Sequence, residues 1–514
     1  MPVNIAKSAH GEQGSHRRNH NNHRREPAPL LKWGLVFFLL FSTFSFGAVE
    51  DWSSATCEVF LFLLAGLVWL RDPGFMRFPR RLWAPFCFAL LLLVIGVIQL
   101  VPLPQSYWRF VGDERATIQE QAAKAQQLLR SKKYRTDPFT GKVDPESKEP
   151  VTFATPGSWI PASFTPLGTF KAMLAILAAL ALMLLLERLA SRSSYDLHGV
   201  ALWGGIAAVA VGFFAIANFH SKVTKVMGFR ESVHAAGAFG PFINENNGIG
   251  FVNIGFCLLY YLIWRRIREH SHRSNKTGLV FLAVSLGIFH VAVLTIRGSG
   301  AGWWIALLFP FVIFLRILKR WPRLALAVAL IAVIFSSAFL VFAIHYRFTD
   351  IHGRLGVWKN AVNQEHFLIG NGIHSFRYRF PEVITEMPLQ NPKSWWYPEN
   401  EYIQSYFEAG APALIGTLLL FGIIAVMGFK TIMKNESSFL LVPGLWAEAL
   451  HAGTDYNFNI WPVVAIYLIL FIVLSSHQQL INNHRERKDL SLKNPEDAIN
   501  DQIKKETGLA EMWN

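Results

Sequence analysis

Apolar runs of membrane-spanning length recur along almost the whole chain. A helix needs about 20 predominantly apolar residues to cross the hydrocarbon layer. Twelve stretches approach that requirement: 33–49, 54–70, 82–100, 167–186, 198–218, 248–264, 278–295, 300–318, 324–343, 411–429, 438–452 and 459–475. The fold expected is an all-α polytopic membrane protein with about 12 transmembrane helices. Composition agrees: 52% of residues are hydrophobic, mean hydropathy is +0.29, and 16% are charged, against about a quarter in soluble domains. A chain of soluble domains is thereby excluded.

The net charge of +14 would suit nucleic acid, but Lys and Arg cluster beside the apolar runs. That is where orientation signals and contacts with anionic lipid headgroups fall, so membrane lipids are the expected partner and no nucleic acid is. With the N-terminus inside, Arg71, Arg77, Arg80 and Arg81, then Arg188 and Arg192, "RRIREHSHRSNK" at 265–276, "RILKRWPR" at 316–323, and Lys430 and Lys434 all fall on one side. The eleventh run is the weakest because it contains Glu448. Residues 1–30 read as a basic, disordered cytoplasmic tail, 31–475 as the membrane domain and 476–514 as a second cytoplasmic tail. The run at 33–49 has the charge layout of a secretory signal. It lacks a small-x-small cleavage site and is followed at once by another span, so a retained helix is expected. Two long segments then lie outside, 101–166 and 344–410, the second between helices 9 and 10. Residues 113–133 of the first read as a helix lying over the membrane. Cys57, Cys87 and Cys257 have neither disulfide nor zinc spacing, and no internal repeat of the kind common in transporters is visible.

Polar residues with chemical capacity gather on the outer side. In "GAFGPFINENNGIGF" at 237–251, Asn244 to Asn247 sit at the outer N-terminus of the sixth span, where they can cap the helix or leave backbone N–H groups for an anion. In "TIRGSGAGWW" at 295–304, Arg297 lies between two apolar runs. An arginine there either snorkels to the interface or serves a function. "GRLGVWKNAV" reads as a short amphipathic helix starting at Arg354, followed by the glycine-rich turn "IGNGIHSF". Two arginines, Arg297 and Arg354, could clamp two phosphates bidentately. In "YPENEYIQSYFEAG" at 397–410, Pro398 marks a possible first turn, with Glu401, Gln404 or Ser405, and Glu408 along one face. That pattern suits both a capped, solvated helix start and a site. "EALHAGTDYNFNIWP" at 448–462 adds His451 and Asp455 between the last two spans.

Taken in order, these stretches resemble the O-antigen ligase and O-antigen polymerase superfamily, over about residues 30–475. The resemblance includes "FGAVEDWSS", "IQLVPLP" at 98–104, "GPFINENNGIG", "IRGSGAGW", "GRLGVWKNAV" with "IGNGIHSF", "ENEYIQSYFEAG" and "TDYNFNIWP". It implies a transferase acting on an undecaprenyl-diphosphate-linked glycan donor at the periplasmic face of a bacterial inner membrane. Arg297 and Arg354 would engage the lipid diphosphate. The family's "HN-x-Y-L-Q…E-x-G" pattern, whose histidine is the candidate base, falls on Glu399, Asn400, Tyr402, Gln404, Glu408 and Gly410. Glu399 thus replaces the histidine, and a carboxylate can also act as a general base. Glu401, Glu408 and His451 are the alternatives. Asn246, Asn400, Tyr402, Gln404, Glu408, His451 and Asp455 would line the substrate site.

The implied reaction needs neither metal nor cofactor: no Asp-x-Asp pair occurs in the outer loops, and two arginines can stabilise a diphosphate leaving group. The acceptor would be a growing glycan, lipid A core or a protein. The alternative reading is a transporter or flippase of lipid-linked glycans, which should place charged residues at mid-membrane.

Overall fold

A computed structural model of the chain describes residues 28–72, 79–104, 106, 135–136, 143–144, 159–221, 225–231, 238–269, 273–296, 304–320, 354–363, 366–383, 397–434 and 437–476. The expected span at 324–343, the helix at 113–133, both tails and Arg297 lie outside the described residues.

Helices follow the apolar runs closely. They are α1 (Ala28–Phe44), α2 (Asp51–Arg71), α3 (Trp83–Leu100), α4 (Pro166–Arg192), α5 (Ser194–Ser221), α6 (Glu245–Glu269), α7 (Arg273–Ile296), α8 (Trp304–Arg320), α9 (354–362), α10 (Phe376–Val383), α11 (Glu401–Met433), α12 (Val442–His451) and α13 (Trp461–Ser476). Among the described residues, seven helices are long and apolar enough to cross a membrane. The protein is therefore membrane-embedded and mostly helical. Three short antiparallel pairs are the only described sheet. Of these, β1 (Pro102–Pro104) with β4 (Trp159–Pro161) ties the end of α3 to the start of α4. A second pair joins β2 (Arg135–Thr136) to β3 (Val143–Asp144), and a third joins β5 (Lys225–Val226) to β6 (Arg230–Glu231).

Packing centres on α6, whose apolar window is 83% buried, whereas that of α7 is 17% buried. Small residues let α5 and α6 approach. A Cβ on Gly205 would lie 2.4 Å from the Leu259 side chain, and one on Gly255 would lie 2.2 Å from the Ala208 Cβ. Association of helices in lipid depends on such close packing, because hydrocarbon offers the same apolar contacts as leucine does. Large side chains left uncovered on the outer faces, such as Leu63, Phe281, Ile288, Leu419 and Ile423, suit that lipid environment.

The helices leave two chemically different ends. At one, the C-termini of α2, α4 and α6 meet the starts of α1, α3 and α5. Asp72 holds Arg188 and Arg192 (2.7 Å to Arg192), Arg81 pairs with Glu187 through Nε at 3.1 Å, and Lys32 pairs with Asp196 at 2.9 Å. At the other end lie the polar motifs.

Two expectations shift. The eleventh run forms a short 3-10 turn, Ser437–Leu441, followed by the ten-residue α12; Pro443 restarts the helix, and the segment falls short of membrane-spanning length. Helix α11 starts at Glu401 rather than at Pro398, because Asn400 supplies the cap. Its side chain accepts hydrogen bonds from the Tyr402 and Ile403 amides at 3.0 and 3.1 Å.

Candidate functional site

The polar end is organised around an interruption in α11. Gly410 adopts φ 77°, ψ −177°, inside an otherwise helical segment. Pro412 has no N–H to return to the Glu408 carbonyl, and the Ala411 amide bonds to the Phe367 carbonyl at 2.7 Å instead of turning back on its own helix. The carbonyls of Phe407 and Glu408 are left to accept from elsewhere. Asn371 donates to the first from its backbone (3.0 Å) and side chain (3.0 Å); Gly372 (3.0 Å) and the Gln99 side chain (2.7 Å) donate to the second. Gln99 also donates to Ile369 O at 2.6 Å and accepts from the Ile373 amide at 3.0 Å. The turn "IGNGI" is thus clamped between α3 and the α11 break.

Arg354 opens α9 and reaches across this end. Its Nη2 lies 2.6 Å from Glu399 Oε2 and its Nη1 donates to Thr454 O at 2.5 Å. The guanidinium joins three sequence motifs: the α9 helix, the 397–402 segment and the 452–455 turn. The same segments are stitched by the Trp358 indole donating to Pro398 O (2.8 Å), the Asn400 amide to Gly453 O (2.8 Å) and the Glu401 amide to Ala452 O (2.7 Å). Tyr397 stacks on Tyr456 with ring centroids 4.2 Å apart.

The acidic residues expected at this site do different work. Glu401 Oε1 accepts from the Phe458 amide at 2.9 Å and the Asn459 side chain at 3.3 Å, so it caps the Asn457–Asn459 turn. Glu408 is buried, accepts from the Phe376 amide at 3.1 Å at the start of α10, and contacts Gln404 at 3.4 Å. Tyr402 donates to Ala449 O at 2.8 Å. Glu399 is the carboxylate that meets a side chain at a partly open surface: 30% of its side chain is accessible, with 17% for Arg354.

Beside it lies a buried polar cluster. Asn457 donates to Glu448 Oε1 at 2.6 Å, lies 2.7 Å from His451 Nδ1, and accepts from Asn247 at 2.6 Å. His451 Nδ1 stands 3.6 Å from Glu448 Oε2, and His451 Nε2 stands 3.8 Å from Asp455 Oδ2. Asn246 hydrogen-bonds Asp455 through its side chain, while Asn244 accepts from the Asn246 amide at 2.9 Å as a cap of α6. Gly250 makes room: a Cβ there would lie 2.9 Å from both Asn457 Nδ2 and Glu448 Oε2.

Of the residues named from sequence, Arg354 and Glu399 meet directly, Asn400 caps α11 beside them, and Asn246, His451 and Asp455 share the neighbouring cluster. Gln404 and Glu408 sit beneath α10 and serve the scaffold. Asn247 belongs to the stretch expected to cap the sixth span and Asn457 to the turn between the last two spans, while Gln99 and Glu448 carry no expected site role. The available signal was a polar side chain inside an apolar run, for Gln99 and Glu448 alike. Among the described residues, no group of three or more His, Cys, Asp or Glu side chains is placed to hold a metal ion. Compared with family models and with curated proteins, the chain matches none.

Proposed function

We propose that this chain is a transferase that moves a glycan from an undecaprenyl-diphosphate-linked donor to an acceptor hydroxyl. In this reading it crosses a bacterial inner membrane several times with its N-terminal tail in the cytoplasm, and the 344–410 segment and the site face the periplasm. The ordered motifs support it, and so does one geometric observation: Arg354 meets the 397–402 and 452–455 segments at the polar end of the bundle. A guanidinium at the start of a helix, where the helix dipole is positive, suits a diphosphate.

In the reaction, the acceptor oxygen forms a bond to the anomeric carbon as the bond from that carbon to the diphosphate breaks. The diphosphate leaves with the electron pair, its charge stabilised by Arg354 and Arg297. The hydroxyl proton passes to a carboxylate, for which Glu399, paired with Arg354, is the candidate. A flippase reading has less support. Among the described spans, the buried histidine at mid-helix, His290, is held by Asn253 at 2.9 Å and has no acidic or basic partner in that contact.

Transfer from a purified lipid-linked donor tests the reading. Arg354→Ala and Arg297→Ala should each lose roughly 100-fold or more of the rate, as removal of a transition-state charge partner does, while the protein still inserts. Full activity in both variants would remove the arginine assignment.

A further inference from the structure

We infer that Glu399 is an internal counter-ion occupying Arg354 until a diphosphate displaces it, so that donor binding releases the carboxylate for the acceptor. The inference rests on the transferase reading for the identity of the ligand, but its core is a competition for one guanidinium.

Three observations carry it. The first is contact and access. Glu399 Oε2 sits 2.6 Å from Arg354 Nη2, and both side chains keep measurable exposure, so an anion from solution can reach the pair. The second is backbone conformation. Glu399 has φ 52°, in the left-handed region that side chains other than Gly, Asn and Asp avoid. Its neighbours are tied on both sides, Pro398 by the Trp358 indole and Asn400 by Gly453. Strain held between two anchored residues is a recurrent property of functional positions. Here its effect is to hold a carboxylate on the guanidinium.

The third is the contrast with the surrounding acids. Glu401 caps the 457–459 turn, Glu408 caps α10, and Glu448 accepts from Asn457. Each has a backbone amide or buried amide side chain as a fixed partner. Glu399 adds an ion pair, to the Nη2 arm of Arg354, while the Nη1 arm donates to Thr454 O. A diphosphate carries more negative charge than a carboxylate, so it should win the exchange for that arm. A base kept in an ion pair while the donor is absent would then become available only when the sugar is in place.

Full-length protein in detergent, titrated calorimetrically with inorganic pyrophosphate and separately with farnesyl diphosphate, tests this without any glycan. Relative to wild type, Glu399→Gln should bind roughly two- to fivefold more tightly, the range expected when a partly exposed ion pair no longer competes. Arg354→Ala should lose binding. Glu399→Asn, which suits the positive φ, should show the same gain and guards against misfolding of the first variant. A gain with both ligands assigns recognition to the diphosphate itself; a gain with farnesyl diphosphate alone assigns it to a lipid-linked diphosphate. Unchanged affinity for both ligands in both Glu399 variants, with binding still lost in Arg354→Ala, overturns the counter-ion role and leaves the transferase reading standing. Undiminished binding in Arg354→Ala overturns both.

Discussion

At the scale of single residues, the buried cluster around His451 is where charge is most costly. Asp455 lies in the turn after α12, and burial is the largest influence on its carboxyl, raising its pKa; His451, the Tyr456 amide, Arg354 and Asn246 oppose this. A carboxyl raised in the folded state contributes stability below its unfolded pKa of about 4 and loses that contribution as pH rises through the folded value. As pH rises through that range, Asp455 therefore weighs progressively against folding. Its Oδ2 and His451 Nε2 are buried without hydrogen-bond partners. Asp455→Asn removes the charge while its amide oxygen can still face the imidazole Nε2–H, since Nδ1 is met by the Asn457 amide N–H. The thermal midpoint in detergent should rise by the equivalent of about 1 kcal/mol near pH 7.5, with the difference shrinking toward about pH 4.5. A midpoint below wild type at the higher pH would contradict this account. The sequence pointed to His451 and Asp455 because they stand between apolar runs. Asn247 and Asn457 read from sequence as a helix cap and an ordinary turn residue, because the partner of each, 210 residues away, is known only from the fold. Glu448 read as a defect in a span, whereas here it is an acceptor within the cluster.

Among the elements, the decisive feature is the break in α11, because it frees two carbonyls to hold the glycine-rich turn. A Cβ at Gly410 would lie 2.3 Å from the Leu368 carbonyl oxygen, and one at Gly370 would lie 2.4 Å from Glu408. Both glycines also have positive φ, at 77° and 69°. Gly410→Ala and Gly370→Ala should each destabilise by about 2–4 kcal/mol, combining strain with a clash against backbone. Gly422→Ala, in the same helix with nothing within 4 Å, should stay near wild type. Thermal unfolding compares the three, and a Gly410→Ala protein as stable as Gly422→Ala would show that the turn is not clamped there. The helices themselves were legible, since apolar runs specify helix in a membrane. The break was not, because "EAGAP" within an apolar pattern looks like a tolerated interruption; only Asn371, Gly372 and Gln99, distant in sequence, show what the released carbonyls do.

For the whole molecule, the question is which end faces which side. Chain alternation puts Asp72, Arg81, Arg188, Arg192 and Lys32 at one end and Arg354, Glu399 and the 452–455 turn at the other. Basic residues are retained on the cytoplasmic side of a membrane protein, so the first end should be cytoplasmic and the second exposed to the outside. The paired state of the basic end does not weaken this argument, because orientation is chosen during insertion, before those ion pairs form. Two exposed positions report the sides: Leu355, 49% accessible beside Arg354, and Tyr195, 74% accessible at the start of α5. In a variant lacking the three native cysteines, Leu355→Cys should react with a membrane-impermeant maleimide on intact spheroplasts. Tyr195→Cys should react only after the membrane is permeabilised. The reverse pattern would put Arg354 and Glu399 in the cytoplasm, where a donor displayed on the outer leaflet could not reach them, and would remove the transferase reading along with the topology.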